Sequence, residues 1–198
     1  MTGLIILAAG PSSRLGQPKQ KIIFEGKTLL QRAVETGIQS ACKPVIVILG
    51  ASADEIQPDI INENVLVCYN PRWQEGMSTS IGLGIEILEK TSPDVSDVIL
   101  MVTDQPFVNT LLLATLIETK TGTGKDIISC SYNNTLGVPV LFDKKFFGEL
   151  LLLSGQEGAK KLLMKHKESV ASVAFEAGNF DIDTKEDYEA LIARGKTQ

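Results

Sequence analysis

Leu4-Ile5-Ile6-Leu7-Ala8-Ala9-Gly10-Pro11-Ser12-Ser13-Arg14-Leu15-Gly16-Gln17-Pro18-Lys19-Gln20 sets an unbroken apolar run against a loop of glycines, hydroxyls and cations. The run does not alternate with polar residues, so it reads as a strand buried on both faces, the pattern of a parallel sheet covered by helices. Four more apolar runs follow, at Val45 to Leu49, Val65 to Cys68, Val98 to Val102 and Ile127 to Cys130, with helical spacing between most of them. One helix is expected after Thr28 as N-cap, turning Leu29, Leu30, Ala33, Val34 and Ile38 inward. Another is expected near Ser78, with Ile81, Ile85 and Leu88 on its apolar face. Strand and helix in alternation predict an α/β fold, a doubly wound and mostly parallel sheet of Rossmann-like type.

The second half is less regular. Asn133 and Asn134 read as a turn, and Val138 to Phe142 contains Pro139, so an irregular or antiparallel edge strand or hairpin is expected there. Gln156 to Lys167 reads as a helix and Ser169 to Phe175 as a strand. Thr184-Lys185-Glu186-Asp187 reads as a capping box opening a last helix to about Ala193. Neither a linker nor an internal repeat divides residues 1–198, so a single domain is expected.

The chain has 198 residues, 43% hydrophobic and 22% charged, a composition that can bury a sizeable core. Its 19 Lys+Arg against 24 Asp+Glu give a net charge of −5 without a basic stripe, which argues against nucleic-acid binding. Leu4 to Ala9 is too short for a membrane span and has no charged region before it. No membrane association and a cytoplasmic location are therefore expected. Three widely spaced cysteines, Cys42, Cys68 and Cys130, fit reduced core thiols better than disulfides or a zinc site.

The loop after the first strand leaves the carboxyl edge, where parallel α/β sheets bind ligands. Gly10 and Gly16 let backbone amides approach an anion, Ser12 and Ser13 add donors, and Arg14 and Lys19 add fixed positive charge. That convergence favours a phosphate cradle over a solvated turn. The spacing is neither a P-loop nor a dinucleotide fingerprint. Asp104, after Val98 to Val102, projects from the same edge if that strand is parallel, and reads either as a magnesium ligand or as a turn residue before Pro106. Asp183, in Asp181-Ile182-Asp183-Thr184, is either a second carboxylate for the metal or a first-turn charge on a helix. Asn70 to Ser80, with Gly76 and Ser80, can contact a base or sugar, although N-capping by Ser78 explains part of it. Trp73 is read as a packing residue and His166 as solvated. The lone histidine lends no support to a Ser-His-Asp or Cys-His mechanism.

The pattern Leu-Ala-Ala-Gly-x-Ser-Ser-Arg-Leu-Gly-x-Pro-Lys resembles the signature loop of the MobA-like and MocA-like nucleotidyltransferases, the molybdenum-cofactor branch of that group. Further anchors lie at residues 70–80, 103–106, 137–142 and 181–187. The resemblance implies that Ala8, Ala9, Gly10, Ser12 and Ser13 line the nucleotide site, that Gly76 and Ser80 lie beside the base, and that Arg14 and Lys19 grip the triphosphate. It implies that Asp104 and Asp183 share a catalytic Mg²⁺, and that Arg14, Lys19 and Asp104 carry the catalysis. Guanylyl-transferring relatives usually have Ala-Gly-Gly where this chain has Ala8-Ala9-Gly10, so the resemblance favours CMP transfer from CTP to molybdopterin, with pyrophosphate released. The alternatives are a GTP-using molybdopterin guanylyltransferase, a methylerythritol-phosphate cytidylyltransferase and a non-catalytic nucleotide-binding module that delivers a cofactor. A molybdoenzyme or its maturation chaperone is the implied protein partner. Gly137-Val138-Pro139 departs from the family's Gly-His-Pro, which removes the acceptor contact that histidine would make.

Overall fold

A computed structural model describes residues 1–12, 15–60, 64–180, 182 and 187. Its main sheet contains strands β1 (Thr2–Ala8), β4 (Val45–Leu49), β5 (Val65–Tyr69), β6 (Asp97–Val102), β7 (Ile127–Tyr132), β8 (Thr135–Asp143) and β9 (Val170–Ala174). A short antiparallel pair, β2 (Ile23–Phe24) and β3 (Lys27–Thr28), stands apart from it. The main sheet has the order β5-β4-β1-β6-β8-β7-β9. Strand β1 runs parallel to β4 and β6, β4 to β5, and β7 to β9, while β8 is antiparallel to both of its neighbours. This is the doubly wound, mostly parallel α/β sheet that the apolar runs predict.

The period-2 geometry of β1 divides the interior. Leu4, Ile6 and Ala8 enter one apolar layer, whereas Ile5 and Leu7 enter the other. The first layer is covered by α1 (Leu29–Gln39) and α4 (Thr110–Thr123), the second by α3 (Met77–Thr91), α5 (Phe147–Leu151) and α6 (Lys160–Lys165). A single turn, α2 (Ala53–Ile56), adds Ile56 to the first layer. Helix α1 starts where a capping residue was expected: the Thr28 hydroxyl accepts from the Gln31 amide at 3.1 Å, and the Gln31 side chain accepts from the Thr28 amide at 2.9 Å. Ile81, Ile85 and Leu88 of α3 are fully buried as predicted, but the helix begins at Met77 with Gly76 as its cap. Ser78 is not an N-cap; its hydroxyl donates to the Gly155 carbonyl at 2.8 Å.

Two element assignments in the second half need correction. The stretch Val138 to Phe142 does form a hairpin with β7, but it pairs on both sides instead of lying at an edge. A central position tolerates Pro139 because the register with β7 jumps from Ser129↔Val140 to Cys130↔Gly137, so proline sits in a bulge, where the ladder asks for no amide hydrogen. The helix expected from Gln156 starts only at Lys160. Upstream of it, Gly155 takes a positive φ and gives its carbonyl to Ser78, while the Glu157 amide closes a turn on Ser154. Of the strand expected from Ser169 to Phe175, Val170–Ala174 form β9, and the helix expected from Thr184 lies outside the described residues.

Cys42 and Cys130 are buried and free, and burial pushes both thiols up, Cys130 to about 12. Cys68 is only half-buried against the second layer, so it is not the core residue expected. His166 is only partly exposed to solvent. Its Nε2 lies 3.0 Å from Glu149 Oε2, and its ring packs edge-on to Phe146 at 5.0 Å. Among the described residues, no helix is long and apolar enough to cross a membrane.

Candidate active site

Parallel pairing of β1, β4, β5 and β6 brings four chain segments to one edge of the sheet: the loop after Ala8, Gly50, the stretch from Asn70, and Thr103-Asp104. The first, third and fourth of these, together with Gln156, wall a cleft of about 190 Å³. Ala9, Gly10, Lys19, Gly76, Ser80 and Asp104, six residues singled out from the sequence, line it.

The first loop is held by its own polar groups. Ser12, at φ +29°, accepts the Lys19 amide at 2.8 Å, which folds the loop back on itself. Gln20 is 1% exposed, and its Nε2 donates to the Ala8 carbonyl at 2.8 Å and toward the Gly10 carbonyl at 3.4 Å. Ala8 lies buried beneath the cleft rather than on its wall, and Ser12 lines an adjoining hollow with Gly16 and Ser52. Ser13, Arg14 and Asp183 lie outside the described residues.

Across the cleft floor, the Lys19 ammonium is ion-paired with Asp104 Oδ2. Both side chains are largely sheltered, at 19% and 14% exposed. Asp104 Oδ1 is buried without a hydrogen-bond partner. A carboxylate with one oxygen on a cation and the other unsatisfied is costly to bury, and it suits a hard divalent cation that prefers oxygen ligands. Among the described residues, no three His, Cys, Asp or Glu side chains cluster closely enough to hold a metal by themselves. Asp104 with substrate oxygens nevertheless makes a chemically reasonable donor set.

The opposite wall depends on Gly76. Its φ of +122° is one that side chains rarely adopt, and a Cβ there would stand 2.1 Å from the Gly155 carbonyl oxygen. This close approach carries Gln156 to the cleft from a distant part of the chain. Ser80 accepts from the Asn70 Nδ2 at 2.9 Å, and the same group donates to Thr79 at 2.8 Å. Asn70, 2% exposed, is the tie that stiffens this wall. Trp73 packs its Cβ beside Gly50, in keeping with the packing role read from the sequence, and the residue also lines the cleft.

Sequence reasoning assigned no role to Gln20, Asn70 or Gln156. The first two occur in the quoted loops but look there like ordinary surface amides; nothing local marks the third.

Residues 4–170 match the MobA-like NTP transferase domain. The chain is 28% identical over 114 residues to the nicotine blue oxidoreductase of Paenarthrobacter nicotinovorans, covering 57% of this chain and 54% of that protein. It is 30% identical over 86 residues to the molybdenum cofactor cytidylyltransferase of Escherichia coli, covering 43% of this chain and 44% of that protein. These alignments span about half the length of each relative. Among solved structures, Rv0371c of Mycobacterium tuberculosis superposes with a TM-score of 0.82 at 29% identity, covering 97% of each chain. The same protein has been solved in complex with manganese, where the TM-score is 0.78 at 27% identity, covering 97% of this chain and 98% of that one.

Proposed function

The chain belongs to the MobA-like NTP transferase family, and from that premise we propose that residues 1–198 act as one cytoplasmic domain that transfers CMP from CTP to molybdopterin. The convergence of the glycine loop, the Gly76-Ser80 wall and Asp104 on one cleft carries this reading. A molybdenum cofactor cytidylyltransferase among the relatives and the Ala8-Ala9-Gly10 sequence support the choice of nucleotide and acceptor.

In the proposed reaction an acceptor phosphate oxygen attacks the α-phosphorus of CTP, and the bond to pyrophosphate breaks in line. The acceptor phosphate is already ionised at neutral pH, so no general base is required. The protein's work is to position the two substrates and neutralise charge on the phosphate oxygens. Lys19, with Arg14, supplies fixed cations for the triphosphate, and Gly10 keeps the cleft open beside them. Asp104, with Asp183, would hold Mg²⁺, which when bound offers further neutralisation of the phosphate oxygens. Gly76 and Ser80 would border the base. A manganese complex of the Mycobacterium tuberculosis protein is consistent with a divalent ion in this fold.

The test is a pyrophosphate-release assay with CTP and GTP, each with and without molybdopterin, and with methylerythritol phosphate as a rival acceptor. Release is expected with CTP, Mg²⁺ and molybdopterin together, and Asp104→Asn should abolish it while the chain stays folded. Equal turnover with GTP, preference for methylerythritol phosphate, or near-normal turnover by the variant would each remove the corresponding assignment.

A further inference from the structure

Gln105 follows Asp104 directly and is 4% exposed. Its Nε2 donates to the Gly178 carbonyl at 3.0 Å and lies 3.4 Å from the Tyr132 hydroxyl. Its Oε1 is buried without a partner. An apolar side chain of similar size would fill the same space without burying an unsatisfied oxygen, so packing does not account for the carboxamide.

The amide sits where three segments meet. Tyr132, at the end of β7, is wedged between two glycines: a Cβ at Gly137 would stand 2.1 Å from its hydroxyl, and one at Gly178 would stand 2.4 Å from its ring. Beyond Gly178, Phe180 and Ile182 pack on residues in or just after the Asp104 loop and the first loop. Phe180 meets Phe107 edge-on at 5.9 Å, and Ile182, 1% exposed, packs in a cluster with Leu15, Ile22 and Phe24. Gln105 thus joins the loop bearing Asp104 to the segment after β9, beside the strand that begins at Thr135.

We propose that Gln105 is a positioning residue that fixes the Asp104 loop through the Gly178 carbonyl and thereby sets how tightly Asp104 holds a divalent cation. The proposal rests on the reading of Asp104 as a metal ligand. Among the described residues, Oδ1 of Asp104 has no protein partner and Oδ2 is held only by Lys19, which a bound triphosphate would draw away, so the backbone on which the carboxylate stands is what keeps it in place. Groups hydrogen-bonded directly to a metal ligand typically change metal affinity 10- to 100-fold when altered, and a residue acting through the backbone one step further out should fall at the lower end of that range.

The experiment measures Mn²⁺ binding to the full chain by loss of the free-ion electron paramagnetic resonance signal, with CTP present and with the loss caused by the same CTP alone subtracted, together with CTP binding without metal and Tm. Gln105→Leu should weaken Mn²⁺ binding on the order of 10-fold, leave metal-free CTP binding unchanged and lower Tm by only a few degrees. Gln105→Asn, which keeps the amide but is one methylene too short to reach Gly178, should lose as much and provides a second variant if the first folds poorly. Leu163→Ala, a core truncation in α6, should lower Tm further while keeping the native Mn²⁺ affinity. The proposal is overturned if both Gln105 variants bind Mn²⁺ within twofold of the parent while Asp104→Asn does not, or if Leu163→Ala weakens binding equally. If Asp104→Asn itself binds as the parent does, the metal reading fails and takes this proposal with it.

Discussion

Lys19→Ala separates a clamp on phosphate from a structural ion pair, because the two roles predict different responses to a second substitution. With the ammonium gone, Asp104 would have neither oxygen satisfied by Lys19, since Oδ1 already lacks a partner. A hydrogen bond to a charged group contributes about 1.5–3 kcal/mol. The pair is sheltered but not sealed, at 19% and 14% exposed, so about 1–2 kcal/mol is a reasonable cost here. For a chain of this size that corresponds to a fall in Tm of roughly 2–8 °C. Losing a cation that stabilises the transferring phosphate should slow turnover on the order of 10²-fold, about 2.7 kcal/mol in barrier height. Adding Asp104→Asn removes the stranded negative charge, so Tm should partly recover while pyrophosphate release stays lost. Calorimetry on the two single variants and the double variant, beside the pyrophosphate assay, reads both quantities. Activity of Lys19→Ala within threefold of the parent, or recovery of Tm and turnover together in the double variant, refutes the reasoning.

Two glycines should respond in opposite ways. A Cβ at Gly10 would meet nothing within 4 Å, so Gly10→Ala should leave Tm within about 2 °C while its methyl narrows the nucleotide cleft and raises the KM for CTP about 10-fold. Gly76→Ala must relieve both a φ of +122° and a 2.1 Å approach to the Gly155 carbonyl oxygen, so it should cost several degrees of Tm; equal Tm values for the two variants would contradict the geometry. At the other end of β6, the Lys120 ammonium bonds Asp97 and, at 2.7 Å, Asp143. Burial works against the charge on Lys120, but its bonds to the two carboxylates hold it above the ordinary lysine range. Burial likewise opposes the charge on Asp143, yet Lys120 and the Lys145 amide hold its carboxyl below the usual range. The contribution of Asp143 is therefore present above its ordinary pKa of 3.8 and lost as pH falls through the lowered folded value. That of Lys120 is present below 10.5 and lost as pH rises through the raised one. Lys120→Met should flatten both limbs of a Tm-against-pH curve and leave turnover unchanged, because the cluster lies roughly 16 Å along the strand from the cleft.

What could be read from the sequence was what local chemistry determines. The run from Leu4 to Leu7 needs only its own residues to declare a strand buried on both faces, and Thr28 with Gln31 forms a cap within one helical turn. Gly10, Lys19 and Asp104 were legible for a related reason: a parallel sheet sends its loops to one edge, so strand assignments already predict which loops meet. The misreadings are nonlocal. Pro139 looks like an edge signal until the bulge opposite Ser129 and Cys130 is known, and Gln156 looks helical until the Gly155 carbonyl is found docked on Ser78. Gln20, Asn70 and Gln105 are amides at 1%, 2% and 4% exposure. In sequence a buried amide is indistinguishable from a solvated one, because its burial depends on which distant carbonyl or hydroxyl it reaches.

The same amides explain how an acidic chain can shape a site for a polyanion. A net charge of −5 provides no general field to attract a triphosphate, so under the proposed function attraction would come from a few cations held at fixed positions. Fixing a cation in a sheltered cleft has a desolvation cost, which the Lys19–Asp104 pair offsets by giving each group the opposite charge that a metal-bound triphosphate would give it. Gln20 holds the loop of Lys19 through the Ala8 carbonyl, and Gln105 holds the loop of Asp104 through that of Gly178. Exchange of that ion pair for cation and phosphate then needs little movement of the backbone. Low reorganisation at the moment of reaction is the property on which electrostatic catalysis depends.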